Sequence, residues 1–300
     1  MKVLVTGGAG FIGRHIVAEL TAENYDVAIL DYNCSQLHGS TWGKVSCHSL
    51  DITEETDEIF KLEKPDIVIH LAAQVDVNRS LDDPKSDADT NILGTINILN
   101  NCKRHHVKKI IFASSAAVYG EPVYLGLDEA HPLEPVSFYG ISKLSAEKYV
   151  KSFSELHKIN YTVLRYSNVY GQTSNLEQAN DVVSIFLNRM KNNQPPVVYD
   201  DGTQTRDYIY VKDVAAATVA AIHQGKNKIF NISTNTSTSI NELVALLNSH
   251  LGTSLAPAYQ DGRTGEIKNS YLDNGQALKQ LKWKVTYPLE EGLRSTFSHF

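Results

Sequence analysis

Tyr139 and Lys143 stand four residues apart in Phe-Tyr-Gly-Ile-Ser-Lys, and a helix would place both side chains on one face. A free phenol has a pKa of about 10 and is a poor base at neutral pH. An ammonium held beside it stabilises the phenolate and turns the pair into a proton-abstracting group. Ordinary surface helices carry the same spacing, so the pair needs support from elsewhere in the chain. Ser114 and Ser115 end the strand-like stretch begun by the apolar run Ile110-Ile111-Phe112, one residue beyond it. Small hydroxyls at the C-terminal end of a buried parallel strand face the crevice where such sheets bind ligands, although a turn or a helix cap also accounts for them.

A second constellation lies at the N-terminus, where residues 5–13 read Val-Thr-Gly-Gly-Ala-Gly-Phe-Ile-Gly. Gly7, Gly10 and Gly13 follow a strand-like run and open a helix-like one. Glycines here permit a tight turn, close approach of backbone to a pyrophosphate, and close helix–strand packing. The helix start, from Phe11 and Ile12 onward, turns free N–H groups and a positive dipole end toward phosphates. Asp31 closes the next apolar run, 18 residues after Gly13. A carboxylate there accepts hydrogen bonds from ribose hydroxyls and repels a 2′-phosphate. No arginine stands between Arg14 and Arg79 to receive that phosphate, so NAD is expected over NADP. Asp51 and Ile52 follow another short β-like stretch and are expected at the adenine; alone, Asp51 reads equally as a helix cap.

These residues need a scaffold, and the first half supplies one. Val3-Leu4-Val5, Val27-Ala28-Ile29-Leu30, Ile67-Val68-Ile69 and Ile110-Ile111-Phe112 are short continuous apolar runs, as suits parallel strands buried on both faces. Ile12, Ile16 and Leu20 mark one helix between them, and Ile92, Ile96 and Leu99 another. The β-α-β alternation predicts a doubly wound parallel sheet of Rossmann type. After about residue 171 the segments shorten and loops multiply, which predicts a smaller mixed α/β lobe for binding substrate. The expected division is 1–171 for the dinucleotide domain, with about 206–233 returning to it, and the rest of 172–300 for the second lobe.

The chain has 300 residues, 42% of them hydrophobic and 21% charged, enough for a large core. The net charge of −6 argues against a general nucleic-acid binder. Mean hydropathy is −0.25 and no long apolar run suits a spanning helix. Cys34, Cys47 and Cys102 are far apart with no Cys-X-X-Cys, so each is expected to be a buried structural thiol, with no metal site. No signal peptide precedes the glycines, and the cytoplasm is the expected compartment.

Together the motifs resemble the extended short-chain dehydrogenase/reductase family, in its nucleotide-sugar epimerase branch. The resemblance rests on Thr6-Gly-Gly-Ala-Gly-Phe-Ile-Gly13, His70-Leu-Ala-Ala-Gln74, Asn91-Ile-Leu-Gly-Thr95, Ser114-Ser-Ala-Ala-Val-Tyr-Gly120, Tyr139-Gly-Ile-Ser-Lys143, Arg165-Tyr-Ser-Asn-Val-Tyr-Gly171, Asp201-Gly-Thr-Gln-Thr-Arg-Asp-Tyr208 and Arg263-Thr-Gly-Glu266, and covers essentially the whole chain. It implies NAD-dependent 4-epimerisation of a UDP-hexose through a 4-keto intermediate. Tyr139 would be the base on the sugar 4-hydroxyl, Lys143 would hold the nicotinamide ribose, and Ser115 would bond the sugar oxygen. Leu71, Ala72, Ala73, Asn91, Ser114 and Tyr166 would line NAD. Asn168 would touch the nucleotide sugar, and Arg206 and Arg263 would clamp its diphosphate, a task suited to the guanidinium fork. Asn91 also reads as a packing amide, Arg206 as an ion-pair partner of Asp207 or Asp213, and Arg263 as a solvated loop charge. The resemblance further implies a homodimer formed through a four-helix bundle by the helices that carry Asn91–Cys102 and Tyr139–Phe153.

The departures are informative. Phe138 stands where many relatives have proline. Ala116 and Ala117 occupy the positions at which sugar-nucleotide dehydratases carry an Asp-Glu pair, which disfavours water elimination. Ser270 falls where some relatives place a bulky tyrosine beside the sugar's carbon 2, so room for an N-acetyl group is expected there. UDP-glucuronate or a UDP-pentose as substrate, and a catalytically silent NAD-binding protein, remain the alternatives.

Overall fold

The computed structural model describes residues 1–34, 42–43, 45–173, 176, 181–262 and 267–297. Lys2–Thr6 (β1), Phe11–Ala22 (α1), Asp26–Asp31 (β2), Ser46–Ser49 (β3), Asp57–Glu63 (α2), Ile67–His70 (β4), Val77–Asp82 (α3), Pro84–Ala88 (α4), Thr95–Arg104 (α5), Lys109–Ser115 (β5), Phe138–His157 (α6) and Asn160–Tyr166 (β6) come first. They are followed by Asn168–Tyr170 (β7), Val182–Lys191 (α7), Val197–Tyr199 (β8), Thr205–Arg206 (β9), Tyr208–Tyr210 (β10), Val211–Ala220 (α8), Lys228–Ile232 (β11), Thr238–Ser239 (β12), Ile240–Leu251 (α9), Ala258–Gln260 (β13), Gly275–Gln280 (α10) and Leu289–Phe297 (α11).

Seven strands form one sheet in the order β11-β6-β5-β4-β1-β2-β3, and every pairing in it is parallel. This is the doubly wound α/β architecture that the continuous apolar runs predict. Alternate residues along each strand enter two cores. Val3, Val5, Ile29, Ile67, Ile69 and Ile111 pack with Ile16, Val17 and Leu20 of α1 and Val214 and Ala217 of α8. Leu4, Ala28, Leu30, Val68, Ile110 and Phe112 pack with Phe60, Ile98, Leu99, Ala146 and Val150 on the other face. The strand order reverses between β1 and β4, whose ends Thr6 and His70 are in register. At such a reversal the two crossovers run to opposite faces and leave a crevice beyond the carboxyl ends of the strands.

The chain beyond β6 builds a third core from Tyr170, Val183, Phe186, Met190, Tyr208, Leu243, Val244 and Leu247, with small strand pairs β7–β10, β9–β12 and β8–β13 around it. β11 nevertheless lies at the edge of the main sheet, and α8 packs on α1. No helix among the described residues is long and apolar enough to cross a membrane, and no His/Cys/Asp/Glu group there could hold a metal ion.

Two local features differ from expectation. The helix marked by Ile92 and Ile96 begins as a six-residue π-helical segment, Asp89–Gly94. Thr95 Oγ1 donates to Asn91 O across it (2.7 Å), and such side-chain bonds to the preceding turn loosen regular α geometry. The cysteine reading also needs correction. Only Cys102 is a free buried thiol, whereas Cys34 and Cys47 form a disulfide. Parallel pairing of β2 with β3 sets Cys47 opposite Ile29, so the returning chain passes within reach of Cys34 despite 13 residues of separation. Closing a loop of this size stabilises by about 3 kcal/mol at most. Urea unfolding with and without reductant, and of Cys47→Ser, is expected to give lower midpoints for the reduced and substituted proteins. Identical midpoints would mean that the bridge contributes no stability.

Candidate active site

The crevice at the β1/β4 reversal is lined by backbone. Gly7 has φ +71°, and a Cβ there would lie 2.7 Å from Ala72 N. A Cβ on Gly13 would lie 2.1 Å from Gly7 O, so glycine lets α1 press against the turn. Gly10 is the exposed N-cap of α1 and no side chain caps the helix start, which leaves its N–H groups to the crevice. Phe11 and Ile12 are half-buried and pack toward the third core. Asp31 is 6% exposed at the end of β2, and its Oδ2 accepts from Ala9 N (3.0 Å) inside the glycine turn. Leu71 N and Ala72 N both donate to Thr6 O, fixing the segment through Ala73 beside Gly7. Asp51 Oδ1 accepts from Thr53 N and Oγ1 in a local turn, while Ile52 is buried against Gly94. This cradle has the dipole end, the buried acid and the close backbone that a dinucleotide requires.

The end of β5 and the start of α6 bring the other constellation to the same crevice. Ser137 caps α6 through Gly140 N, and Phe138 occupies the first helical position. Tyr139 is half-buried, with its phenol beside the Ser115 hydroxyl. Burial pushes the phenol up to about 12, with the Ser115 hydroxyl pulling down and the Asp87 charge adding to the rise. Lys143 is 4% exposed, donates to Ala113 O (3.0 Å) and lies 5.1 Å from the Phe112 ring centre. Burial brings its ammonium down to about 8, opposed by Asp87 and Glu147. The end of β5 and the first turns of α6 thus carry a hydroxyl, Ser115, a phenol, Tyr139, and a buried amine, Lys143. The phenol needs further positive charge nearby before it can act as a base at neutral pH.

The remaining expected residues fall in different settings. Asn91 is buried; its Oδ1 accepts from Gln74 N and its Nδ2 donates to Gln74 O, Asp87 Oδ1 and Ser142 Oγ, so the carboxamide is committed to protein. Ser114 donates to Glu147 Oε1 (2.5 Å), and the Tyr166 hydroxyl bonds with Thr218 Oγ1 (2.8 Å). Asn168 is exposed on β7. Arg206 Nη1 donates to Thr205 O (2.8 Å), while Asp207 accepts from Thr234, Asn235 and Leu272, and Asp213 from Thr286 and Tyr287. Ser270 is half-buried with its N–H on Thr205 O, so it adjoins Arg206. Arg263 lies outside the described residues.

Comparison with known proteins adds to this geometry. Residues 3–233 match the model of the NAD dependent epimerase/dehydratase family. The chain belongs to that family. A provisionally named UDP-glucose 4-epimerase of Methanocaldococcus jannaschii is 44% identical over 97% of this chain and 96% of its own length. The crystal structure of a Thermotoga maritima UDP-glucose 4-epimerase with UDP-glucose superposes with a TM-score of 0.96 at 38% identity, covering 100% of this chain and 98% of the other. A Methanobrevibacter ruminantium UDP-N-acetylglucosamine 4-epimerase, in complex with UDP-N-acetylmuramic acid, gives 0.92 at 34% identity, with 100% and 99% covered.

In this epimerase/dehydratase fold the candidate groups are held by residues to which motif reading gave no role. Glu147, one turn beyond Lys143, accepts from Arg165 Nε (2.9 Å) and Nη2 (2.7 Å) as well as from Ser114. Arg165 also donates to the Tyr119 hydroxyl, which donates to Asn231 Oδ1, so the network ties α6 to β5, β6 and β11. The spacing 139, 143, 147 on one helix face was the available signal. Thr95 uses its hydrogen on Asn91 O, so His70 Nε2–H donates to Thr95 and Nδ1 accepts from Thr6. That neutral tautomer agrees with burial holding His70 down to about 3. Gly140 is the third such residue. A Cβ there would sit 2.5 Å from Ala117 O, so only glycine lets α6 reach the turn that carries Ser115. Gly140→Ala is expected to destabilise by about 1–3 kcal/mol and to weaken turnover more than NAD binding. Thermal unfolding together with NAD titration checks this, and unchanged turnover would refute the contact's importance.

Proposed function

We propose that the chain is an NAD-dependent UDP-hexose 4-epimerase. The observation that carries the reading is the Tyr139 phenol beside Ser115, with buried Lys143 one helical turn further along α6 and with Ala116 and Ala117 where elimination would need acids. The UDP-glucose and UDP-N-acetylglucosamine epimerases that it resembles support the substrate class.

The cradle residues suit NAD. The open N-terminus of α1 at Gly10 would take the pyrophosphate, Asp31 the adenosine ribose, and Lys143 the nicotinamide ribose. Bound NAD supplies a reversible hydride acceptor and the positive charge that the buried phenol lacks. Tyr139 then takes the proton of the sugar 4-hydroxyl and later returns it to the same oxygen on the inverted carbon, while Ser115 holds that oxygen. Asn168, Arg206 and Arg263 are proposed to hold the nucleotide diphosphate. A retained diphosphate lets the sugar turn over without leaving, which a 4-epimerase requires. Ser270, a small side chain next to Arg206, is proposed to admit N-acetyl sugars. The dinucleotide lobe is proposed as 1–171 with 206–233, and the rest as the substrate lobe.

The same chain is proposed to dimerise through α5 and α6. On α6, Phe138, Ile141, Tyr149 and Leu156 form an exposed apolar stripe within one helix face, next to exposed Leu93. Light scattering is expected to give twice 33.3 kDa for the native protein and a monomer for the Tyr149→Glu, Leu156→Glu double variant. A native monomer would refute the dimer.

Purified protein with NAD is expected to interconvert UDP-galactose and UDP-glucose, and also the two N-acetyl forms. Tyr139→Phe is expected to lower turnover by about 10²–10⁴ with NAD still bound, the range for loss of a general acid–base group. Turnover of the plain sugars alone would refute the role given to Ser270. Turnover of neither pair would refute the UDP-hexose reading.

A further inference from the structure

None of the roles above uses Asp87, yet it is 1% exposed on α4, where that helix packs against α6. Its Oδ1 accepts from Gln74 Nε2 (2.9 Å) and Asn91 Nδ2 (3.2 Å). Gln74 ends the Leu71-Ala72-Ala73 wall of the crevice. Asn91 reaches on to Ser142 Oγ (3.0 Å), the residue before Lys143. Asp87 Oδ2 is buried with no hydrogen-bond partner among the described residues. A buried carboxylate with a bare oxygen is costly unless a cation lies near it.

The charged neighbours on each packed element narrow the choice of cation. From β4, His70 is neutral throughout the working range. From β6, Arg165 is bound to Glu147 of α6 through two nitrogens, so those two charges largely satisfy each other. On the exposed side, Lys85 pairs with Asp89, and Arg79 of α3 is exposed to solvent. Tyr139 on α6 feels the Asp87 charge as a repulsion on its phenolate. That leaves Lys143, for which Asp87 is the leading influence against burial, ahead of Glu147.

We propose that Asp87 is a positioning residue of the active site: the buried counter-charge of the Lys143 ammonium and, through Asn91 and Ser142, the anchor of the first turns of α6. This rests on the epimerase reading, in which Lys143 must stay charged to support Tyr139. Asp87 does not touch the sugar; it acts through Lys143. Keeping a cation in a dry site needs an anion that is not already neutralised, and Glu147 is neutralised by Arg165.

The test is the pH profile of the NAD-loaded enzyme. Asp87→Asn is expected to move the alkaline limb of kcat/KM down by about half a pH unit to one unit, the reach of one nearby charge, with NAD content unchanged. Asp87→Glu, which keeps the charge, is expected to leave the limb in place. A uniform fall in kcat with both limbs unmoved in Asp87→Asn would overturn the proposal in favour of packing alone. Should Asp87→Asn not fold, the native holoprotein is read directly by NMR of labelled lysine, assigned with Lys143→Arg. The Lys143 amine is expected to titrate near pH 8; titration well below that overturns the proposal. Failure of the epimerase reading looks different: native protein would turn over no UDP-hexose, while the lysine titration, compared between native protein and Asp87→Glu, would still report on the charge held at Lys143.

Discussion

Placing the Lys143 ammonium inside the protein costs desolvation that its surroundings must offset. A lone ammonium in an apolar interior would shed its proton. Here it has the Ala113 carbonyl, the face of Phe112, and the carboxylates of Asp87 and Glu147. These come from three elements, β5, α4 and α6. The amine stays near the edge of losing its charge, at about 8, so added positive charge in the crevice acts on a site that is already finely balanced. Tyr139 is displaced in the opposite direction, to about 12, by the same burial. A dry site therefore sets both groups, and what binds in the crevice decides whether the phenol ionises.

That balance requires α6 to be immovable. Its N-terminus is capped by Ser137, pinned by Tyr139 N on Ser80 Oγ, and pressed against Ala117 O at Gly140. One turn beyond Lys143, the Glu147–Arg165 pair locks the helix to the sheet. Removing one member of a buried ion pair typically costs about 3–5 kcal/mol, because the other charge is left unpaired. Ser114 joins this pair, which explains why two adjacent serines end β5 with different tasks. Ser114 turns inward to Glu147, and Ser115 turns outward to Tyr139 and caps the turn at Ala117.

On the other side of the crevice the constraint is close backbone packing. Gly7 and Gly13 have no room for a side chain, and a neutral histidine fixes the wall opposite them. His70 spans from Thr6 to Thr95, so the ends of β1 and β4 and the start of α5 move as one body. The π-helical segment just before α5 sets Asn91 to bridge Gln74 and Ser142, which joins the cofactor wall to the helix bearing Tyr139 and Lys143. The cradle and the helix that carries Tyr139 and Lys143 are thereby parts of one hydrogen-bonded unit.

Much of this was legible along the chain, for a physical reason. Parallel strands buried on both faces must be continuously apolar, glycines must stand where backbones touch, and a helix brings residues four apart to one face. Those local rules located the sheet, the glycine turn, Asp31 and the Tyr139–Lys143 pair without any structure. What they could not reach were relationships between distant segments. The Cys34–Cys47 bridge depends on which strand β3 pairs with. The Glu147–Arg165 pair and the bare oxygen of Asp87 depend on how α4 and α6 meet the sheet. Asn91 and Tyr166 could be placed at the crevice by motif, but only the packed structure decided that their polar atoms are held by protein. Pattern along a chain reports what each residue can do; the partner it finds is settled by the fold, because burial and hydrogen bonding are properties of pairs.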